Sequence, residues 1–266
     1  MPELPEVETI KRGLEKRILN KKITEVKIAS PKVIKEPSAG EFRKGLIGEK
    51  PQEIIRQGKA LIIKLRENKF LFLHLRIAGW ILYGEEEDKA RVVFKFSDKQ
   101  CLNYMDQRLL GELRLKKDFR GLKFIKELGA DPLKIGLKEF QEIVKKKKIS
   151  IKILLMDQKI LAGIGNIYAQ ESLFRAKISP LRNSSSLTLK EISILHKELQ
   201  GILKEAVKYQ GSSVDSYRLI DGASGGMGKR LKVYGRKNQP CFICGSPVKK
   251  IDLGGRGTCF CPKCQK

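Results

Sequence analysis

The sequence predicts an α+β protein in which an N-terminal helix and a β-sandwich precede a helical segment and a metal-binding tail. Three observations support this fold class. Apolar residues follow helical spacing near the N-terminus, and strand-length apolar runs then alternate with turn residues as far as about residue 125. Helical spacing returns from 135 to 209, and five of the six cysteines follow residue 240.

The N-terminal part of this prediction begins with a helix over 4–19, because five apolar residues there share one face: Leu4, Val7, Ile10, Leu14 and Ile18. The strand candidates that follow are KITEVKIA, LIIKL, FLFLHLRI, RVVFKF, CLNYM and GELRL. They fit a sandwich or a flattened barrel. LGADPL at 128–133 contains Gly and Pro and predicts a linker.

The C-terminal part is predicted to contain four helices, over 136–146, 149–157, 167–175 and 188–209. A stretch rich in Gly and Ser then runs from 211 to 228 and predicts a mobile loop.

The charge of the chain points to a polyanionic partner. The 266 residues include 55 Lys and Arg against 30 Asp and Glu, a formal net charge of +25. Such a field attracts nucleic acid first and anionic membrane second, and the alternative is a solvated Lys-rich surface. The sequence has no apolar run of membrane-spanning length and no secretory signal at its N-terminus, so we expect a cytoplasmic protein.

The cysteine spacing predicts one structural zinc ion. Cys241 and Cys244 form one CxxC pair, and Cys261 and Cys264 form the second at the spacing of four-thiolate zinc sites. Four protein ligands leave no open coordination position, so the metal should have no catalytic role. Cys259 is interpreted as a small buried residue, with an alternate ligand as the less favoured reading.

Glycines flank Arg256 between the two cysteine pairs, in LGGRGT at 253–258. This pattern suggests a hairpin tip that presents a cation, although a solvated turn fits equally well on this pattern alone.

A Gly-rich turn, Gly163-Ile-Gly165-Asn166, precedes the third predicted C-terminal helix. Asn166 is a good N-cap, and the free N–H groups of a helix start can bind phosphate. A dinucleotide-binding motif is excluded because Tyr168 occupies the third glycine position. A purely structural turn remains the alternative.

The N-terminus offers a reactive amine. Methionine before proline is usually removed, which would leave Pro2 with a secondary α-amine. A terminal amine has a pKa of about 8, against about 10.4 for Lys, so more of it is nucleophilic at neutral pH. Glu3 and Glu6 stand close by in sequence and either could act as a general acid or base. The alternative is an ordinary helix start, since Pro and acidic residues suit the first turn.

Together these motifs resemble those of bacterial formamidopyrimidine-DNA glycosylases, in order along essentially the whole chain. Leu4 favours this group over the related endonuclease VIII group, which typically reads PEGPE. The matching segments are PELPEVET at 2–9, Gly58-Lys59, His74-Leu-Arg, Asp106-Gln-Arg108, ADPL, LLMDQKILAGIGNIYAQESLFRAKISP at 154–180, VYGRKNQPC at 233–241 and GRGTCFCPKCQ at 255–265.

The resemblance implies three domains. They are a catalytic β-sandwich domain with the N-terminal helix over 1–130, a helix-two-turn-helix DNA-binding domain with a lesion-capping loop over 134–228, and a zinc-finger β-hairpin over 229–266. It implies double-stranded DNA with oxidised bases or abasic sites as the partner, and we expect a monomer.

The activity that the resemblance implies is that of a bifunctional DNA glycosylase and abasic-site lyase of base excision repair. Such an enzyme removes 8-oxoguanine and formamidopyrimidines through a Schiff base at Pro2 and cuts the strand by β,δ-elimination. Glu3 would donate a proton, Lys59 would assist β-elimination and Arg256 would assist δ-elimination. The implied DNA-binding residues are His74, Ile77, Lys89, Arg108, Leu110, Lys148 and Asn166.

The chain departs from the family at the residues that enter the DNA. Ile77 stands where the family usually has Met, and Leu110 stands where it has Phe. Lesion discrimination is therefore less firmly implied than catalysis, and two other functions stay open. One is an oxidised-pyrimidine glycosylase of the endonuclease VIII type, and the other is a non-enzymatic zinc protein that binds nucleic acid or ribosomes. The non-enzymatic function would explain the charge and the cysteines but not the PELPE motif or Lys59.

Overall fold

The computed structural model describes residues 1–214 and 217–266, which form two compact units. The first unit comprises Met1–Lys126 and Tyr209–Gly228, and the second comprises Glu127–Lys208 and Lys229–Lys266. The predicted α+β class is confirmed, with sheets in the first unit and helices with a C-terminal hairpin in the second. Within the described residues, no helix is long and apolar enough to cross a membrane.

The first unit is a two-sheet sandwich with a helix packed at its core. Its helices are α1 (Leu4–Ile18), α2 (Ala39–Leu46) and α3 (Lys123–Lys126). Its strands are β1 (Ile23–Ile28), β2 (Ile34–Glu36), β3 (Glu53–Gln57), β4 (Ala60–Lys64), β5 (Phe70–His74), β6 (Gly79–Gly84), β7 (Val92–Phe96), β8 (Cys101–Asp106) and β9 (Glu112–Lys116).

The two sheets have strand orders β1-β7-β8-β6 and β2-β9-β5-β4-β3, and all pairings are antiparallel except that of β2 with β9. Both sheets contribute to one apolar core, which also takes the buried face of α1 that the sequence predicts. The chain after β9 places Phe119 on the other face of the five-stranded sheet, where it packs with Ile62 and Phe72.

The second unit holds the four predicted helices and the hairpin. They are α4 (Leu137–Lys146), α5 (Ile151–Met156), α6 (Asn166–Arg175), α7 (Leu189–Lys208), β10 (Lys249–Asp252) and β11 (Gly257–Phe260). The helix bounds agree with the prediction to within one or two residues. α7 is amphipathic and buries one face, with Leu195, Leu199 and Leu203 among the fully buried residues.

Two local features differ from the prediction. The sequence analysis did not predict α2, which contains a glycine, Gly45, in its interior. Its start is marked by a capping box that Ser38 and Glu41 form. The stretch 211–228 was expected to be mobile throughout, whereas Tyr217 and Ile220 are buried in the sandwich core and the Tyr83 N–H donates to the Ile220 carbonyl at 2.6 Å. Residues 215 and 216 of the expected capping loop lie outside the described residues.

Candidate active site

The start of α1 is a buried polar site in the first unit. Pro2, Glu3 and Glu6 are all buried. One oxygen of the Glu6 carboxylate accepts a hydrogen bond from the Glu3 N–H at 2.9 Å, and the other accepts one from the Ser212 N–H at 2.8 Å. Glu6 therefore links the N-terminal residues to the beginning of the 211–228 segment. Sequence reasoning considered Glu6 as an acid or base, or as an acidic residue of the first helical turn, and missed this contact.

Lys59 lies in the tight turn between β3 and β4, next to Gly58, whose φ of +55° favours glycine. The turn is tied to α1 by Arg56. Its Nη1 donates to the Gly58 carbonyl at 3.3 Å, and its Nε donates to the Glu8 carboxylate at 2.9 Å. The helix that begins beside Pro2 and Glu3 thus also anchors the Lys59 turn.

His74 ends β5 and is a neutral, buried imidazole. The Arg76 N–H donates to its Nδ1 at 3.0 Å, and the ring lies edge-on to Phe124. Burial, followed by the positive charges of Arg76 and Lys59, lowers the pKa of His74 from 6.5 to about 3. Because Nδ1 accepts a hydrogen bond, the ring proton is on Nε2. Toward a phosphate, His74 would therefore be a neutral donor rather than a cation.

The lowered pKa predicts an acid-dependent loss of stability. Below pH 6.5 the unfolded chain binds a proton at His74 while the folded protein does not, until the pH approaches about 3. The free energy of unfolding should therefore fall as the pH falls from 6.5 to 5, with a slope of up to about 1.4 kcal/mol per pH unit from this one residue. Urea unfolding at several pH values should show that the unfolding free energy of His74→Asn depends less steeply on pH than that of wild type. Equal slopes would contradict the burial of a neutral His74.

Ile77, Arg108 and Leu110 come together at one end of the sandwich. The turn 75–78 joins β5 to β6, and the loop 107–111 joins β8 to β9. The turn and the loop are neighbours because the strand ends that flank them are paired, Gly79 with Asp106 and His74 with Glu112. All three side chains are exposed there.

Asp106 shapes the loop that carries Arg108 and Leu110. Its buried carboxylate accepts the Arg108 N–H at 3.0 Å and the Gly111 N–H at 2.6 Å. A Cβ on Gly111 would overlap the Tyr104 hydroxyl, so glycine is required there. The exposed Lys89 lies in the β6–β7 loop. The last residue of that loop, Arg91, reaches the same end of the sandwich, where its Nε donates to the Asp106 carbonyl at 2.9 Å.

Asn166, in the second unit, is the first residue of α6 rather than its N-cap, which is Gly165. The predicted capping role is therefore wrong. The reason is that Asn166 already lies inside the first helical turn, where its side-chain amide donates to the Gly257 carbonyl at 3.1 Å. This bond brings Asn166 next to the hairpin that carries Arg256.

The hairpin tip presents Arg256 in an exposed two-glycine turn. Gly254 and Gly255 have φ of +63° and +67°, and the Leu253 N–H donates to the Arg256 carbonyl at 3.1 Å. The predicted hairpin tip is thus present in the structure.

Two buried side chains support this tip, and sequence reasoning missed both. The Lys152 Nζ donates to the Thr258 hydroxyl at 2.8 Å, and the Gln170 Oε1 accepts the Cys259 N–H at 2.7 Å. A single Lys within the otherwise apolar IKILLM of α5 was the available signal for Lys152.

Lys148 is exposed between α4 and α5, in the lysine run 145–148. The backbone on either side of it is fixed by Ser184, whose hydroxyl donates to the Lys147 carbonyl at 2.5 Å and whose N–H donates to the Ile149 carbonyl at 2.8 Å. The lysine head is left in solvent, where it can reach a phosphate.

The four predicted zinc ligands form one cluster. The sulfur atoms of Cys241, Cys244, Cys261 and Cys264 all lie within 4.8 Å of one another, which suits a tetrahedral ion with soft ligands. Cys259 is buried beside this group but is not part of it. The residues therefore fit one structural zinc.

The chain leading into the zinc cluster is held by Glu171 of α6, whose buried carboxylate accepts backbone N–H groups from Lys232, Val233 and Tyr234 at 2.8–3.0 Å. These bonds fasten the start of the zinc-binding segment to α6.

Family models match three consecutive parts of the chain. Residues 1–113 match the formamidopyrimidine-DNA glycosylase N-terminal domain, 128–218 match the formamidopyrimidine-DNA glycosylase H2TH domain, and 238–266 match the zinc finger found in FPG and IleRS. These matches define a zinc-containing protein of a DNA glycosylase class.

Full-length relatives agree. The formamidopyrimidine-DNA glycosylase of Mycoplasma mobile is 40% identical over 100% of this chain and 99% of its own length. The MutM (Fpg) structure from Thermus thermophilus has a TM-score of 0.89 at 36% identity and covers 99% of this chain and 98% of its own. A Lactococcus lactis Fpg mutant bound to DNA that contains Fapy-dG has a TM-score of 0.92 at 36% identity, with 100% of both chains covered. The chain belongs to the formamidopyrimidine-DNA glycosylase family.

Proposed function

We propose that this protein excises oxidised purines, namely 8-oxoguanine and formamidopyrimidines, from double-stranded DNA and then cuts the strand at the abasic site. The observation that carries the proposal is the buried Pro2-Glu3 start of α1, with the Lys59 turn tied to the same helix through Arg56 and Glu8. A nucleophile, an acid and a basic side chain are the groups that this chemistry needs.

The reaction starts once Met1 has been removed. While Met1 is attached, the Pro2 nitrogen is a tertiary amide and has no available lone pair. As a free secondary amine it attacks C1′ of the deoxyribose, and the bond from C1′ to the base breaks. The sugar ring then opens, the ring oxygen takes a proton, and C1′ and the Pro2 nitrogen form an iminium ion. This cation accepts the electrons of the eliminations that follow.

The remaining catalytic residues act on this intermediate. Glu3 supplies the proton for ring opening. Lys59 assists the β-elimination, in which C2′ loses a proton and the bond between C3′ and the 3′ phosphate oxygen breaks. Arg256 assists the δ-elimination, which releases the 5′ phosphate. Hydrolysis of the final iminium returns the free Pro2 amine.

DNA is held by contacts from both units, and the damaged nucleotide is turned out of the helix because its C1′ cannot be attacked within the stack. His74, Lys89, Lys148 and Asn166 contact phosphates. Ile77 and Leu110 fill the gap, and Arg108 hydrogen-bonds the base left unpaired on the other strand.

The proposed contact of Arg108 predicts how the protein reads the opposite base. Wild type should prefer cytosine opposite 8-oxoguanine, and Arg108→Ala should flatten that preference by roughly 1–3 kcal/mol. This preference is measured by single-turnover excision of 8-oxoguanine placed opposite each of the four bases. Arg43→Ala removes an exposed charge on α2 and should leave the preference intact. Full retention of the cytosine preference in Arg108→Ala would refute the assignment.

A companion change tests the two apolar side chains. Ile77 is shorter and stiffer than the usual Met, and Leu110 has no aromatic face to stack. The double change Ile77→Met with Leu110→Phe should therefore speed excision. If it does not, the ranking of these side chains is wrong, while the role of Arg108 stands.

Substrate class is decided by a direct comparison of duplexes that contain 8-oxoguanine or thymine glycol. The proposal requires faster excision of 8-oxoguanine. Faster excision of thymine glycol would indicate an oxidised-pyrimidine glycosylase, and binding without excision of either lesion would indicate a non-enzymatic nucleic-acid-binding protein.

We further infer that the protein works as a monomer on bacterial chromosomal DNA in the cytoplasm. The proposed division of labour assigns catalysis to 1–130, DNA binding and lesion capping to 134–228, and the zinc hairpin to 229–266. The capping segment starts at the Glu6 contact and is fastened to the sandwich core by Tyr217 and Ile220.

A further inference from the structure

Two adjacent apolar side chains in the second unit have no part in the DNA chemistry proposed above. Phe242 and Ile243 are 63% and 61% exposed, the largest values among the big apolar side chains of the described residues. They are consecutive and stand between Cys241 and Cys244. A lone exposed apolar residue is ordinary, whereas adjoining ones with this exposure indicate an interaction site.

The backbone beneath them is fixed. The Ile243 N–H donates to the Cys241 sulfur at 3.5 Å, and the Gly245 N–H donates to the Cys241 carbonyl at 2.9 Å. The zinc ligands on both sides add a further constraint. A partner would therefore bind a preordered surface and lose little conformational entropy in doing so.

Positive charge surrounds the aromatic ring. The Arg236 guanidinium carbon is 3.6 Å from the centre of the Phe242 ring, and the Lys232 Nζ is 4.7 Å from it. Arg236 is held in place by donating to three neutral oxygens, those of the Gln239 side chain and of the Lys232 and Pro240 carbonyls. Residues 222–251 contain no Asp or Glu, and the Glu171 carboxylate, which lies against this segment at Lys232, accepts backbone N–H groups.

We propose that Phe242, Ile243, Lys232 and Arg236 form a docking surface for an acidic peptide segment of another protein. An aromatic or aliphatic side chain of the peptide would pack on Phe242 and Ile243, and its carboxylates would meet the two cations. Aromatic and Arg side chains of this kind dominate the energetics of protein interfaces.

A single-stranded nucleic acid fits this surface less well. Bases bind such proteins by stacking on a ring face, and Arg236 already lies against the Phe242 ring. Ile243 has no ring face to offer.

The position of the surface leaves the proposed catalytic arginine accessible. Arg256 lies at the tip of the β10–β11 hairpin, beyond the paired residues Asp252 and Gly257. The zinc cysteines lie at the opposite end of the hairpin, past the pair Lys249 and Phe260. A peptide bound at Phe242 can therefore be present while the tip acts on DNA.

The test is fluorescence anisotropy with the full-length, zinc-loaded protein and a labelled peptide of alternating Asp and Phe. Wild type should bind it, and should bind the peptides of alternating Asp and Ala or of alternating Lys and Phe much more weakly. The double change Phe242→Ser with Ile243→Ser should weaken binding at least about tenfold. Leu181→Ser, which removes a side chain that is 53% exposed elsewhere in the second unit, should leave it unchanged. Zinc content and cleavage of abasic DNA should be normal in both variants.

Three results would overturn the proposal. One is equal binding of the Asp-Phe and Asp-Ala peptides, which would reduce the interaction to net charge. Another is equal binding by wild type and the double variant. The third is a failure of wild type to bind the Asp-Phe peptide. If the double variant then also binds labelled single-stranded DNA more weakly than wild type does, the surface binds nucleic acid instead.

Discussion

Retention of Met1 should abolish covalent trapping of the protein on abasic DNA. Borohydride reduces an iminium between protein and sugar to a stable amine, so trapping requires an amine that can form one. We expect protein that begins at Pro2 to crosslink efficiently, because a terminal amine with a pKa of about 8 is more often neutral than a lysine with a pKa of about 10.4. An uncleaved N-terminal tag turns the same nitrogen into an amide and should reduce crosslinking to background.

The matched control is the same tagged protein after a protease has released Pro2 as the first residue. Crosslinking should return in full, and both forms should bind abasic duplex, since the tag leaves the residues proposed to contact phosphates in place. Efficient crosslinking by the tagged form would instead assign the nucleophile to a lysine, with Lys59 the first candidate.

Loss of one zinc ligand should remove both the metal and strand cleavage, whereas loss of the neighbouring cysteine should remove neither. Structural zinc sites of this type contribute about 10–16 kcal/mol of binding energy, which is coupled to local folding. In Cys261→Ser the hairpin that carries Arg256 should therefore lose its order, and DNA binding, without which the strand is not cut, should be lost with it. Cys259→Ser is the matched control, because Cys259 is also buried nearby but lies outside the sulfur cluster.

Metal analysis and cleavage of abasic duplex measure this difference. Cys259→Ser should hold about one zinc per chain and cut DNA, and Cys261→Ser should do neither. Equal zinc loss in the two variants would show that the ligand set includes Cys259. Removal of zinc from wild type by a chelator should reproduce the Cys261→Ser behaviour, and added zinc should reverse it.

The features that the sequence predicted well are those encoded by local spacing. The apolar face of α1 and the two CxxC pairs each depend on residues a few positions apart, and the structure places both as expected. The glycines beside Arg256 likewise predicted a turn. This prediction needs only the local sequence, because a positive φ favours glycine wherever the segment lies in the fold.

The features that the sequence did not predict depend on partners far away in the chain. Asn166 is the first residue of α6 rather than its cap, and its side-chain amide donates to the carbonyl of Gly257, 91 residues further on. Lys152 and Thr258 are 106 residues apart, and Glu6 and Ser212 are 206 apart. Nothing in the residues adjoining either partner shows that such a pair will form, because the tertiary fold brings them together.

The 211–228 segment shows where composition misled the interpretation. Its glycines and serines suggested mobility, yet it also contains Tyr217, Leu219 and Ile220, which pack into the sandwich core. Burial of these apolar side chains outweighs the conformational freedom of the glycines around them. Apolar residues inside a Gly-rich stretch were the signal for anchoring.

The central claim, that the Pro2 amine is the nucleophile, is tested most directly by locating the adduct. Mature protein is trapped with borohydride on abasic duplex, the DNA is digested, and the modified peptide is sequenced by mass spectrometry. We predict that the added sugar remnant is on the nitrogen of Pro2 in the peptide that begins PELPEVET. An adduct on Lys59, or on any other lysine, with Pro2 unmodified would contradict the account.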